Sequence, residues 1–224
     1  KQKTAYEISL GLVGSEMCIR DRYSILYIRP EVRDTSFSWK LFIERVNADL
    51  NDTLGNFVHR TLIFIRRYFK NRVPEPGEIK EIDRAVLDFI PESVKEIGRK
   101  IEEFKLQAAL RAFMNLSREG NRYLNETEPW KIVKIDKVRT GTIIYVAAQV
   151  VKALSVVMVP FLPHTAEKLW KMLGFRSSAQ QQNWEEALNP LKPGHEIGDV
   201  KPLFTKIELS VEEINKHLEQ LREE

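Results

Sequence analysis

Two side chains able to read a nucleobase stand one helical turn apart in Leu54-Gly-Asn-Phe-Val-His-Arg60. Asn56 carries an amide that both donates and accepts, and Arg60 a planar guanidinium with five donors. Four residues apart on a helix, they share one face. Such a pair can hydrogen-bond the Watson–Crick edge of an unstacked base and hold the adjoining phosphate, as single-stranded RNA loops are usually recognised. On spacing alone the commoner role is a helix-surface hydrogen bond and a solvated cation. Trp130 follows Pro129 directly. A proline there ends one helix and stiffens the chain, so the indole could project at the end of a bundle and stack a base, worth about 1–3 kcal/mol. On the same spacing a core tryptophan is the commoner outcome. Gly55 in a helix interior costs about 1 kcal/mol relative to Ala, so another helix or a ligand is expected to come close to it.

Other chemistry is excluded more readily. His59, His164, His195 and His217 lie far apart in sequence, none beside a nucleophilic or metal-binding motif, and are read as structural or surface residues. No glycine-rich phosphate loop is present, and the single cysteine, Cys18, builds neither a disulfide nor a thiolate zinc site. No catalytic residue and no metal site are expected, and a reducing, cytoplasmic setting fits. The net charge of +3 selects no partner, but its distribution is uneven. From Thr53 to Pro74 there is no acidic residue, while Arg60, Arg66, Arg67, Lys70 and Arg72 give a basic stretch. That pattern fits either nucleic-acid phosphates or a solvated helix face.

These residues need helices to position them. Apolar residues recur at three and four positions from Trp39 to Phe69, with Ser38 as N-cap, predicting one long helix stopped by Pro74, Pro76 and Gly77. A second helix is predicted from Glu78, kinked or restarted at Pro91, its stripe running on through Val94, Ile97, Ile101 and Phe104. A third, from Leu106, ends before Pro129, and a fourth runs from Asp136 through an apolar stretch to about Met172. The run from Ile143 to Leu162 is long enough to raise a membrane span, but Lys152 near its centre would cost about 2.5–3.5 kcal/mol in a bilayer, so a buried bundle helix and no membrane contact are expected. The fold class is therefore all-α, a bundle of four to five helices over residues 36–174. Residues 175–224 read as an irregular extension in which Ser210-Val-Glu-Glu213 caps a short terminal helix.

The segments Val46-Asn-Ala-Asp-Leu50, Leu54 to Arg60, Asn121-Arg-Tyr-Leu and Glu128-Pro-Trp130 together resemble the anticodon-binding domain of the methionyl-tRNA synthetase family. Val159-Pro-Phe-Leu-Pro-His164, Ala166-Glu-Lys-Leu-Trp170 and Pro202-Leu-Phe-Thr-Lys-Ile207 are similar to its archaeal branch, so the likeness spans Tyr23 to Ile207. The resemblance implies a helical bundle that receives a CAU anticodon. Its cytosine would be read by Asn56 and Arg60 and stacked on Trp130, with Arg66, Arg67, Lys70 and Arg72 as phosphate contacts. The implied partner is tRNA(Met), initiator included. The implied parent is a class I methionine-tRNA ligase using ATP and Mg.

The signatures of that family's ATP-binding catalytic domain are not found, and Lys171-Met-Leu-Gly is not one of them. The chain is thus expected to carry no cofactor and no charging activity of its own, with residues 23–35 the end of a connection from a catalytic domain. Residues 1–22 resemble a translated sequencing-adapter read-through and are expected to be non-native. Two alternatives stay open: the related bundle of another class I synthetase, such as those for isoleucine, leucine, valine or cysteine, and a structural or partner-binding bundle with no RNA contact.

Overall fold

A computed structural model describes residues 15–29, 31, 37–208 and 212–213. Helix α1 (Ser15–Ile28) leads to α2 (Trp39–Arg45), a ten-residue π-helical segment (Val46–Gly55) and α3 (Asn56–Tyr68). Then come α4 (Glu81–Glu102), α5 (Leu106–Thr127), the single turn α6 (Pro129–Ile132), α7 (Lys137–Val157) and α8 (Pro163–Met172). Two short 3₁₀ turns, Ala179–Gln181 and Trp184–Leu188, punctuate the rest. Among the described residues no strand forms beyond an isolated antiparallel bridge between Arg72 and Glu196. The expected all-α bundle is what the chain builds, with α3, α4, α5 and α7 at its centre and α8 against them.

Several predicted elements differ in detail. The long first helix runs from Trp39 to Tyr68 as expected, but its middle is a π-helix rather than an α-helix. Val46, Leu50, Leu54 and Val58 are all buried at a strict spacing of four. That spacing is equally ordinary in an α-helix, so the widened turn rests on tertiary contacts rather than on the pattern of apolar residues. Two side chains hold the widened turn: Thr53 donates its hydroxyl to the Ala48 carbonyl at 2.8 Å, and Asn121 of α5 donates to the Thr53 carbonyl at 2.8 Å.

Pro91 neither breaks nor restarts α4. It lies on the exposed face, where its ring has room and solvent can take the carbonyl it leaves without an N–H partner. Phe104 does not continue the stripe: α4 has ended, and Phe104 sits at φ +57°, 79% exposed. The predicted fourth helix is two helices, divided at Pro160. The boundary expected between residues 22 and 23 falls inside α1, because Ile19 and Tyr23, one turn apart, are both buried in the core. The side chain of Cys18, the residue Ser210 and His217 lie outside the described residues.

The core is organised around α7, whose apolar run is buried within the bundle. Lys152, 1% exposed at its centre, has its ammonium on the Glu186 carboxylate at 2.7 Å and on the Glu186 carbonyl. Burial pushes its pKa down against the pull of that carboxylate. The carboxamide of Gln149 closes both backbone groups of Leu191, at 3.2 and 2.7 Å. Residues 175–208, irregular as expected, thus serve as a packed strap, with Leu191, Ile197, Val200, Leu203 and Phe204 all buried. Phe204 also accounts for Gly55: a Cβ there would lie 3.1 Å from its ring and 3.1 Å from the Leu50 carbonyl. The close neighbour expected at Gly55 is therefore this strap, not a second helix or a ligand.

A buried polar network joins α4, α5 and α7. Asp83, 0% exposed, accepts from the Tyr123 hydroxyl at 2.5 Å, from both terminal nitrogens of Arg139 and from the Lys80 backbone at 2.8 Å. Burial works to raise the Asp83 pKa, but these hydrogen bonds outweigh it and hold the carboxyl below its ordinary range. A depressed carboxylate stabilises the fold above the unfolded-state value of about 3.9, and the contribution is lost as pH falls below it. Asp83→Ala should lower unfolding free energy at pH 7 by about 3–5 kcal/mol, since it strands Arg139. Urea titrations of wild type and Asp83→Asn should show a stability gap that narrows below about pH 4.

Helices α3 and α5 meet at Phe57 and Gly120. A Cβ on Gly120 would lie 2.3 Å from the Phe57 ring, so only glycine lets the ring seat. Gly120→Ala should cost about 1–3 kcal/mol through overpacking. Thermal melts should recover part of that loss when Phe57→Leu is added, because the smaller side chain vacates the space.

Candidate nucleic-acid interface

Asn56 and Arg60 occupy the first two turns of α3, just after the π segment. They line one open cleft of about 500 Å³ between α3 and α5. Its opposite wall comes from α5: Arg118 and Arg122 alternate with Asn121 and Asn125, each pair four residues apart on one face. Asn56 is exposed, whereas Arg60 is half-buried, which lowers its pKa without discharging it.

The Arg60 guanidinium is held from two directions. Both terminal nitrogens donate to the Asn125 carboxamide oxygen at 3.2 Å, and its central carbon lies 4.8 Å from the centroid of the Trp130 ring. A cation over an indole face is attracted by the ring quadrupole, the best of the aromatic partners for it. The chain delivers Trp130 there because Glu128, at φ +43°, caps α5 in the left-handed conformation and Pro129 opens α6 at its first position. Trp130 is 42% exposed, so it is not the core tryptophan that spacing alone favoured. The three residues singled out from the sequence are therefore neighbours through Arg60.

The proposed phosphate contacts divide. Arg66 pairs with Asp199 at 3.6 Å, and Arg72 with Glu196 at 3.0 Å and the Gly194 carbonyl at 3.3 Å, both across to the strap. Arg67 and Lys70 are exposed, and among the described residues neither pairs with a carboxylate. Arg67 lies 5.4 Å from the Tyr68 ring centroid, beside the Trp130 side of Arg60. Of the four cations read from the sequence, Arg66 and Arg72 thus have carboxylate partners from far along the chain, and Arg67 and Lys70 have none among the described residues.

Sequence reasoning missed the α5 wall. Its signal was present, as Arg118, Asn121, Arg122 and Asn125 fall at three- and four-residue spacings. What concealed it was partnering: Arg122 is held by Glu119 and Glu126, and Arg118 by Asp49 at 3.4 Å. Other motif residues prove architectural. Asn47 brackets the backbone of Ile207 at 2.9 and 3.0 Å, and Asp49 accepts from the buried Tyr23 hydroxyl at 2.6 Å. His195 bonds the Leu173 carbonyl at 2.7 Å and His164 is exposed, as their structural or surface reading requires. Among the described residues no cluster of potential metal ligands occurs.

Comparison with known proteins places this geometry. Residues 73–222 match the anticodon binding domain of methionyl tRNA ligase, and residues 17–62 match the class I tRNA synthetases of the methionine type. The chain is 42% identical over 83% of its length to a methionine–tRNA ligase of Pyrococcus abyssi, and 34% identical over 91% to that of Sulfolobus acidocaldarius. It spans 25% and 36% of the length of those two relatives. The crystal structure of the free Mycobacterium tuberculosis methionyl-tRNA synthetase superposes with a TM-score of 0.82 at 25% identity, covering 90% of this chain and 41% of that one. The same enzyme bound to methionyl-adenylate gives 0.78 at 26% identity, covering 84% of this chain and 37% of that one. With its helical bundle, its α3–α5 cleft and its family match over residues 73–222 in agreement, the chain belongs to the methionyl-tRNA synthetase anticodon-binding family.

Proposed function

We propose that this chain recognises the anticodon loop of tRNA(Met), initiator included, by reading the cytosine of a CAU anticodon with Asn56 and Arg60 and stacking it on Trp130. The observation that carries the reading is the Arg60 guanidinium, which borders the cleft it shares with Asn56 and lies 4.8 Å from the Trp130 ring. An amide and a guanidinium offer the donors and acceptor that a splayed-out base edge needs, and the exposed part of the indole offers a stacking surface. Arg67 and Lys70 attract the phosphates, while Arg66 and Arg72 are already engaged by Asp199 and Glu196. The parent is a methionine-tRNA ligase that acts in the cytoplasm and uses ATP with Mg at a separate catalytic unit. This chain's share of that work is selection of the tRNA.

The structural-bundle alternative is disfavoured by Trp130 itself, since a tryptophan serving only packing would not leave 42% of its surface exposed beside an arginine.

Fluorescence anisotropy with a CAU anticodon stem-loop should show Arg60→Ala and Trp130→Ala each weakening binding by about 10-fold or more. Replacing the cytosine by uracil should weaken wild type similarly and leave Arg60→Ala little changed. Equal wild-type affinity for loops of unrelated anticodon would reject the assignment.

Salt titration gives a separate check. Affinity should fall as salt rises whichever anticodon is used, and Lys70→Gln should flatten that slope more than Arg72→Gln does. A slope indifferent to Lys70 would remove it from the interface.

A further inference from the structure

Two carboxylates line the α3–α5 cleft, where a bound RNA strand would bring its own negative charge. Glu126 is paired with Arg122 of the same helix, and Asp52 with Lys206 at the end of the strap, 154 positions away in the sequence. We propose that Lys206 is a positioning residue of the RNA interface: it holds and neutralises the Asp52 carboxylate, so that the wall carrying Asn56 does not repel the phosphates of the strand. The inference rests on the RNA-binding reading above and gives the strap a part in it.

The pairing is close and two-sided. The Lys206 ammonium lies 2.9 Å from one Asp52 oxygen and 3.1 Å from the other. Hydrogen bonds from Lys206 and then Asn51 hold the Asp52 carboxyl below its usual range. Asp52 is therefore ionised, and without the lysine the cleft would carry its full charge.

The strap is anchored on both sides of Lys206. Phe204 packs on Gly55, the Thr205 carbonyl accepts from Arg20 at 2.7 Å, and Asn47 takes both backbone groups of Ile207 at 2.9 and 3.0 Å. A lysine mounted between such anchors has less backbone freedom to lose when it pairs. Stability does not account for the pair, since both side chains are about half exposed and exposed pairs contribute little. Nor does Lys206 itself line the cleft, so its effect on a bound strand passes through Asp52.

Anisotropy titrations of the full chain with a CAU stem-loop and a loop of unrelated anticodon test this. Lys206→Ala should weaken binding to both loops by about 5-fold, the effect of one like-charge contact at about 4 Å in water. Lys206→Arg should keep wild-type affinity. Asp52→Asn should bind at least as tightly as wild type, and adding it to Lys206→Ala should restore affinity to within about 2-fold. The loss from Lys206→Ala should also shrink as salt rises and the Debye length shortens, which a merely loosened strap would not do. Wild-type affinity in Lys206→Ala, weaker binding by Asp52→Asn alone, or an equal loss from Lys206→Ala on wild-type and Asp52→Asn backgrounds would overturn the assignment. If wild type binds the two loops equally, the base reading fails instead, and the Lys206 effect is still expected on both.

Discussion

The seat of Phe57 on Gly120 sets the distance between α3 and α5, and everything in the cleft depends on that distance. The ring occupies the space a Cβ would take, so the two helices approach as closely as a side chain on one and bare backbone on the other permit. At that separation Asn125 reaches Arg60, and Asn121 reaches the Thr53 carbonyl. The polar cleft is thus a consequence of an apolar contact one residue away from Asn56. A guanidinium held by a carboxamide and an indole loses less freedom on binding than one free in solvent, which is the energetic case for arranging it before the ligand arrives.

The π segment belongs to the same construction. Ten residues of wide helix are uncommon, since such turns usually occur singly and often at functional sites. This one is braced on each side: Asp49 holds Tyr23 of α1 at 2.6 Å and Arg118 of α5 at 3.4 Å, while Asn47 pairs with the backbone of Ile207 in the strap. Those contacts tie three distant parts of the chain to the turns that precede Asn56. The wide turns they brace shift the phase of α3 relative to α2, and so bear on which face of α3 carries Asn56 and Arg60 toward α5. Asn47 and Asn121, both in segments that carry the family resemblance, are committed to this bracing.

What could be read from the letters follows from what is local. The Asn56–Arg60 spacing, the helix stop at Pro129 and the apolar run of α7 each depend on neighbours within about one turn, and each is found where expected. The π segment left no such trace, because the fourfold spacing from Val46 to Val58 is an ordinary helical interval. The rest depends on contacts across the sequence. The cations Arg66 and Arg72 look free until Asp199 and Glu196, more than a hundred residues on, return beside them. Gly55 has no visible reason until Phe204 packs on it, and Lys152 looks costly until Glu186 meets it in the core. In each case the strap supplies the partner, and its loop-like composition gave no sign that it packs.

On the proposed function, that division accounts for how a bundle of nearly balanced charge would attract RNA. A net charge of +3 on 224 residues gives little long-range field, and most arginines near the cleft are paired. Pairing Arg118 and Arg122 opposes each positive charge with a nearby carboxylate, which shortens the range over which the cleft acts. On the proposed reading, attraction at a distance falls to Arg67 and Lys70, and discrimination to hydrogen bonds that Asn56 and Arg60 would make to the base. Separating the two would keep a wrong anticodon from being held by charge alone, because phosphate contacts orient a strand but do not identify its bases.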